Sequence, residues 1–98
     1  MNRADAISRL DAHSDTLKAM GSTELYMFGS TARDAASPTS DLDLFVEYDQ
    51  KGRFNAFDLV GMKLLLEKVL SLPVDLTTRD GLHTMLKADI EQAAVRVF

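Results

Sequence analysis

Two aspartates separated by one residue, Asp41 and Asp43, border and interrupt an otherwise apolar run, and a third, Asp75, lies between Val74 and Leu76. Such alternation is the mark of a strand, whose successive side chains point to opposite faces. It puts Asp41 and Asp43 on one face and Leu42, Leu44 and Val46 on the other. The chain is thereby committed to a sheet with an apolar side and a carboxylate-bearing side. Neighbouring carboxylates repel, and burying them together is costly unless one is protonated or a cation lies between them. A divalent metal resolves that conflict, and a nest of backbone N–H groups would hold the phosphates it binds. A small-residue turn, Gly29-Ser30, follows the apolar run Leu25-Tyr26-Met27-Phe28. Glycine lets a phosphate approach the backbone, and the start of a following helix presents free N–H groups. The pattern points to metal-dependent phosphate chemistry. Asp41 and Asp43 would bridge two divalent ions, and Asp75 would complete the site and help deprotonate an attacking hydroxyl.

At 98 residues the chain reads as one small domain, residues 1–98. A formal net charge of -4 disfavours nonspecific nucleic-acid binding, which needs a basic patch that no stretch supplies. The absence of cysteine excludes disulfides and thiolate metal sites. No apolar run approaches the roughly 20 residues that span a bilayer. Met1-Asn2-Arg3-Ala4-Asp5 lacks the apolar block of a secretory signal, so the cytoplasm is the expected location.

Periodicity predicts a helix over 3–20, with Ala4, Ile7, Leu10, Leu17 and Met20 inward and Gly21 as the stop. A strand over 23–28 ends at Gly29-Ser30, and Ser30 caps a brief helix through Ala32, Arg33 and Asp34. Asp34 to Ser40 reads as a loop, Asp41 to Tyr48 as a second strand and 49–53 as a polar turn. A helix over 54–70 carries an apolar face of Phe57, Val60, Leu64 and Val69, and Ser71-Leu72-Pro73 breaks it. Val74 to Thr77 forms a third strand. A helix over 80–92 holds Leu82, Met85, Leu86 and Ile90 inward, and 94–98 either adds an edge strand or continues that helix. The order predicts an α/β or α+β fold, with helices covering a small mixed sheet. Arg33 either neutralises phosphate or pairs with Asp34 or Asp41; Arg79, past the third strand, is a similar case. His13 and His83 fall on predicted helices away from the carboxylates.

The order hydrophobic strand, Gly-Ser, spacer, Asp-x-Asp, then a third Asp one strand later resembles the DNA polymerase beta-like nucleotidyltransferase superfamily. Gly29-Ser30-Thr31-Ala32-Arg33 and Ser40-Asp41-Leu42-Asp43-Leu44, in so short a chain, resemble its minimal nucleotidyltransferase group. The resemblance implies Mg²⁺, as two ions, and ATP. It implies Gly29 and Ser30, with Arg33, on the triphosphate, and Asp41, Asp43 and Asp75 around the metals as the catalytic set. It further implies an antitoxin paired with a helical HEPN-domain ribonuclease toxin, onto a tyrosine of which AMP is moved. One departure stands out: many relatives carry glycine where this chain has Asp34. An acidic residue there either weakens attraction for a triphosphate or points to solvent. Two other functions fit the same residues: a noncatalytic antitoxin that neutralises its partner by covering it, and a nucleotidyltransferase acting on a small molecule. The second is weakened by length, since little beyond the core remains to build a small-molecule pocket.

Overall fold

The computed structural model describes residues 1–37 and 41–98. The end of the expected loop, Pro38 to Ser40, lies outside the described residues. The described elements are α1 (Arg3–Asp11), α2 (Ser14–Ala19), β1 (Ser22–Phe28), α3 (Gly29–Ala32), β2 (Leu42–Tyr48), α4 (Ala56–Leu70), β3 (Val74–Thr78), a 3-10 turn (Arg79–Gly81), α5 (Lys87–Ala93) and β4 (Val95–Arg96). The four strands form one mixed sheet in the order β3-β2-β1-β4. β1 pairs antiparallel with both β2 and β4, while β2 and β3 run parallel, joined by α4. Parallel neighbours need a crossover of this length, so the helix between them follows from the pairing.

Strand alternation sorts the side chains as the sequence predicts. Leu25 and Met27 of β1, Leu42, Leu44 and Val46 of β2, and Val74 and Leu76 of β3 share one core. Ala6, Leu10, Leu17, Met62, Leu66 and Leu70 of the helices cover them. Burying this apolar layer is the main favourable term for the fold.

The helices depart from expectation in phase and extent. The first splits in two at Ala12-His13, within a stretch, Asp11 to Thr16, in which every residue but Ala12 is a weak helix former. There the His13 N–H bonds the Leu10 carbonyl at 3.0 Å, and Leu17 restarts the helix by bonding the His13 carbonyl at 3.0 Å. Ala6 joins the core in place of Ala4, which is exposed. α4 begins later than 54 because Asn55 caps it: its side chain accepts from the Phe57 and Asp58 amides, and its own amide donates to the Asp58 carboxylate at 3.0 Å. Of the four residues expected inward on α4, Val69 packs against the core, but the other three are turned out, with Phe57 87%, Val60 52% and Leu64 59% exposed. The helix is apolar on most sides, so periodicity alone does not choose which side packs; Met62, Leu66 and Leu70 do. The helix expected over 80–92 forms only from Lys87. Thr78 Oγ1 accepts the Gly81 amide at 3.1 Å and His83 Nδ1 accepts the Met85 amide at 3.2 Å, local bonds that compete with helix. Leu82 is buried, but Met85 and Leu86 are exposed rather than inward. The tail adopts the strand alternative: beyond β4, Val97 donates to the Leu25 carbonyl at 2.8 Å.

Candidate active site

The second face of the sheet carries the odd-numbered residues of β2. Phe28 stands opposite Asp43 across β1 and β2, and Asp43 stands opposite Asp75 across β2 and β3. One row across three strands therefore holds an aromatic ring and two carboxylates. Asp41, exposed just before β2, lies at the same end. Burial, then the charges of Asp75 and Asp41, push the Asp43 carboxyl above its ordinary value, while the Arg33 guanidinium opposes them. The charged form of Asp43 is thereby less favoured than that of an isolated carboxyl, and a cation would offset its neighbours.

The turn after β1 is shaped around that carboxylate. Gly29 has a φ of +73°, in the left-handed region, and a Cβ at this position would lie 3.1 Å from Asp43 Cγ and collide with its carboxylate. Glycine is needed here for Asp43 as well as for any phosphate. α3 then makes a single turn, preceded by Phe28, which offers no side-chain cap; Ser30 lies inside the helix and is not its cap. The first-turn N–H groups of such a helix have no partner within it.

The end of α3 explains the departure at position 34. The Asp34 amide bonds the Thr31 carbonyl at 3.1 Å and the Ala35 amide bonds the Ser30 carbonyl at 2.8 Å, the paired bonds of a Schellman closure. This closure puts Asp34 at a φ of +59°, a conformation for which glycine is the usual residue and Asp among the tolerated ones. The Asp34 carboxylate accepts the Arg3 amide at 2.9 Å.

The structure does not draw every expected residue together. Among the described residues, no three acidic or histidine side chains converge as a ready metal cluster. The oxygen donors of Asp41, Asp43 and Asp75 nevertheless suit a hard divalent cation, and after burial the charges of Asp75 and Asp41 contribute to the raised Asp43 carboxyl. Among the described residues Arg33 makes no ion pair with Asp34 or Asp41. Arg79 serves the opposite end of the face. Its guanidinium lies over Tyr26 at 4.8 Å and Phe45 at 5.3 Å, and pairs with Glu47 at 2.9 Å and Glu91 at 3.5 Å. The short contact to Glu47 is an ion pair not aligned as a hydrogen bond, since Nε has no partner in good geometry. A cavity of about 220 Å³ beside Glu47, Tyr48, Arg79 and Lys87 also lies at this far end, away from the aspartates. In its wall Tyr48 donates to Asp80 at 2.8 Å, and hydrogen bonds from Thr78 and Tyr48 hold the Asp80 carboxyl below the ordinary range. His13 is half-buried and His83 exposed. Sequence reasoning did not single out Phe28 as a neighbour of Asp43; only strand register reveals it.

Residues 10–97 match the family described as the nucleotidyltransferase domain. Two Methanocaldococcus jannaschii proteins, each named "putative protein adenylyltransferase", are similar. One is 42% identical over 72% of this chain and 74% of its own length. The other is 35% identical over 72% of each. A solved structure described as a "putative minimal nucleotidyltransferase" superposes with a TM-score of 0.82 at 29% identity, covering 97% of this chain and 95% of the other. A toxin-antitoxin structure with AMP-PNP shares the fold at a TM-score of 0.71 and 18% identity, covering 90% of this chain and 72% of its own. The carboxylate row, the glycine turn fitted to it and these likenesses converge: the chain belongs to the nucleotidyltransferase domain family.

Proposed function

We propose that the chain is a metal-dependent protein adenylyltransferase, acting as an antitoxin that moves AMP from ATP to a tyrosine hydroxyl of a cognate HEPN-domain ribonuclease toxin. The observation that carries this reading is the row in which Asp43 faces Asp75 and closes against the Gly29 turn. The relatives named as protein adenylyltransferases and the toxin-antitoxin neighbours support the substrate class and the partner. Asp41, Asp43 and Asp75 would hold Mg²⁺, which supplies charge stabilisation at the transferred phosphoryl group. Gly29 and Ser30 would seat the triphosphate through backbone N–H groups, and Arg33 would add positive charge. The tyrosine oxygen forms a bond to the α-phosphorus as the bond to the bridging oxygen breaks and diphosphate leaves; Asp75 takes the hydroxyl proton. The unit is one domain over residues 1–98, placed in the cytoplasm where ATP is supplied. No helix among the described residues is long and apolar enough to cross a membrane.

One observation favours a second reading, an antitoxin that acts by binding alone: Phe57, Val60 and Leu64 leave apolar surface exposed on α4, of the kind interfaces bury. Mass spectrometry of the toxin co-expressed with this chain separates the two. Added AMP is expected with wild type and its loss, with a rate fall of at least about 10²-fold, in Asp41→Asn/Asp43→Asn. An unmodified toxin that both proteins neutralise equally would establish binding alone.

A further inference from the structure

The first helix and the turn after β1 are tied by two bonds, both donated by Arg3, one from its backbone amide and one from its side chain. α1 has N-terminal amides without partners inside the helix. Asn2 Oδ1 takes the Asp5 amide at 2.7 Å, and the Asp34 carboxylate takes the Arg3 amide at 2.9 Å. The Arg3 guanidinium donates to the Ala32 carbonyl at 3.3 Å, at the end of α3. Each helix end thus satisfies the other, and the positive end of the α1 dipole favours the Asp34 charge. A glycine at 34 would reach φ +59° at less cost but would leave the Arg3 amide without this acceptor.

We infer that Asp34 and Arg3 form a clamp that positions the Gly29–Arg33 turn for nucleotide by fastening it to α1. The inference rests on the nucleotide-binding reading above. Asp34 is exposed, but its carboxylate is engaged by the Arg3 amide, and it acts through the turn rather than on the triphosphate. Arg33, which immediately precedes Asp34, is held by the same Schellman closure, and its charge reaches Asp43. The acidic residue at 34 is therefore a substitute for backbone freedom. It accepts the cost of the left-handed conformation and gains a link that glycine cannot make.

Amide hydrogen exchange and calorimetric titration with Mg-ATP test this on wild type, Asp34→Gly, Asp34→Asn and Arg3→Met. In Asp34→Gly the amides of residue 3 and residues 33–35 are expected to exchange about fivefold faster. The Kd for Mg-ATP is expected to rise about threefold to tenfold while the melting temperature barely moves. Asp34→Asn keeps the acceptor oxygen and tolerates the left-handed conformation, so it should restore affinity to within about twofold. Arg3→Met removes only the guanidinium strut and should shift both readouts about twofold in the same direction. Unchanged exchange in Asp34→Gly overturns the clamp. Faster exchange with unchanged Mg-ATP affinity overturns its positioning role. Wild type that binds no Mg-ATP removes the nucleotide reading and the positioning role with it, whereas the exchange result still decides the clamp.

Discussion

The sheet's second face carries two pairs of like-charged carboxylates in register, and the fold treats them differently. Glu24 stands opposite Glu47 across β1 and β2, and each has an arginine: Arg96 lies 3.2 Å from Glu24, and Arg79 2.9 Å from Glu47. Asp43 stands opposite Asp75 across β2 and β3, and among the described residues neither has an ion pair. Between them lies an aromatic layer, Tyr26 stacked on Phe45 at 4.9 Å, with Phe28 tilted beside it at 5.8 Å. At the glutamate end the repulsion is cancelled by the chain's own cations. At the aspartate end no ion pair among the described residues cancels it and only the Arg33 charge opposes it, as the proposed cation site would require.

Three substitutions would break or sharpen this contrast. The largest effect is expected from Phe45→Ala. Phe45 is 0% exposed and packs between the two ends, so its loss should lower unfolding free energy by about 3–5 kcal/mol in urea denaturation. Arg79→Met should follow at about 1–2 kcal/mol, because it removes both ion pairs and the guanidinium above two rings. A neutral result would show that the glutamate end is not held by its arginine. Asp43→Asn is expected to act in the opposite direction, with a small rise in melting temperature when no metal is added. The sign follows from the raised carboxyl. The folded state holds the Asp43 proton more tightly than the unfolded state, so wild-type stability falls as pH rises from the ordinary carboxylate value through the raised one. Asp43→Asn should lack that fall. Adding Mg²⁺ should stabilise wild type and narrow the difference. Melts in which Asp43→Asn is less stable than wild type across this range would remove the argument for uncancelled repulsion.

The strands were legible because burial and charge alternate in step. Leu42, Leu44 and Val46 could only go inward, which placed Asp43 on the other side, and Val74-Asp75-Leu76 repeats the logic. The phase of α4 was not legible, since Phe57, Val60 and Leu64 look as apolar as the Met62, Leu66 and Leu70 that pack. The break at Ala12-His13 and the late start of α5 depend on local bonds that leave no mark in the apolar periodicity they interrupt. Position 34 lay further out of reach. Its left-handed backbone is set by the Schellman closure, and its partner, Arg3, is 31 residues away. Glu24, Glu47 and their arginines carry no motif; only register makes them a pair.

The strand order leaves β3 at the edge of the described sheet, with no strand on its outer side, although the Val74 amide donates to the Glu67 carboxylate at 3.0 Å. Such an edge invites another chain to add a strand, and native sheets discourage this with short strands, prolines and charges. β3 has all three: it runs for five residues, follows Pro73 and carries exposed Asp75. The aspartate proposed for chemistry is also a guard against aggregation. Neutralising it to probe the reaction weakens that guard, so the solubility of an Asp75→Asn protein has to be measured before its inactivity is read as a catalytic loss.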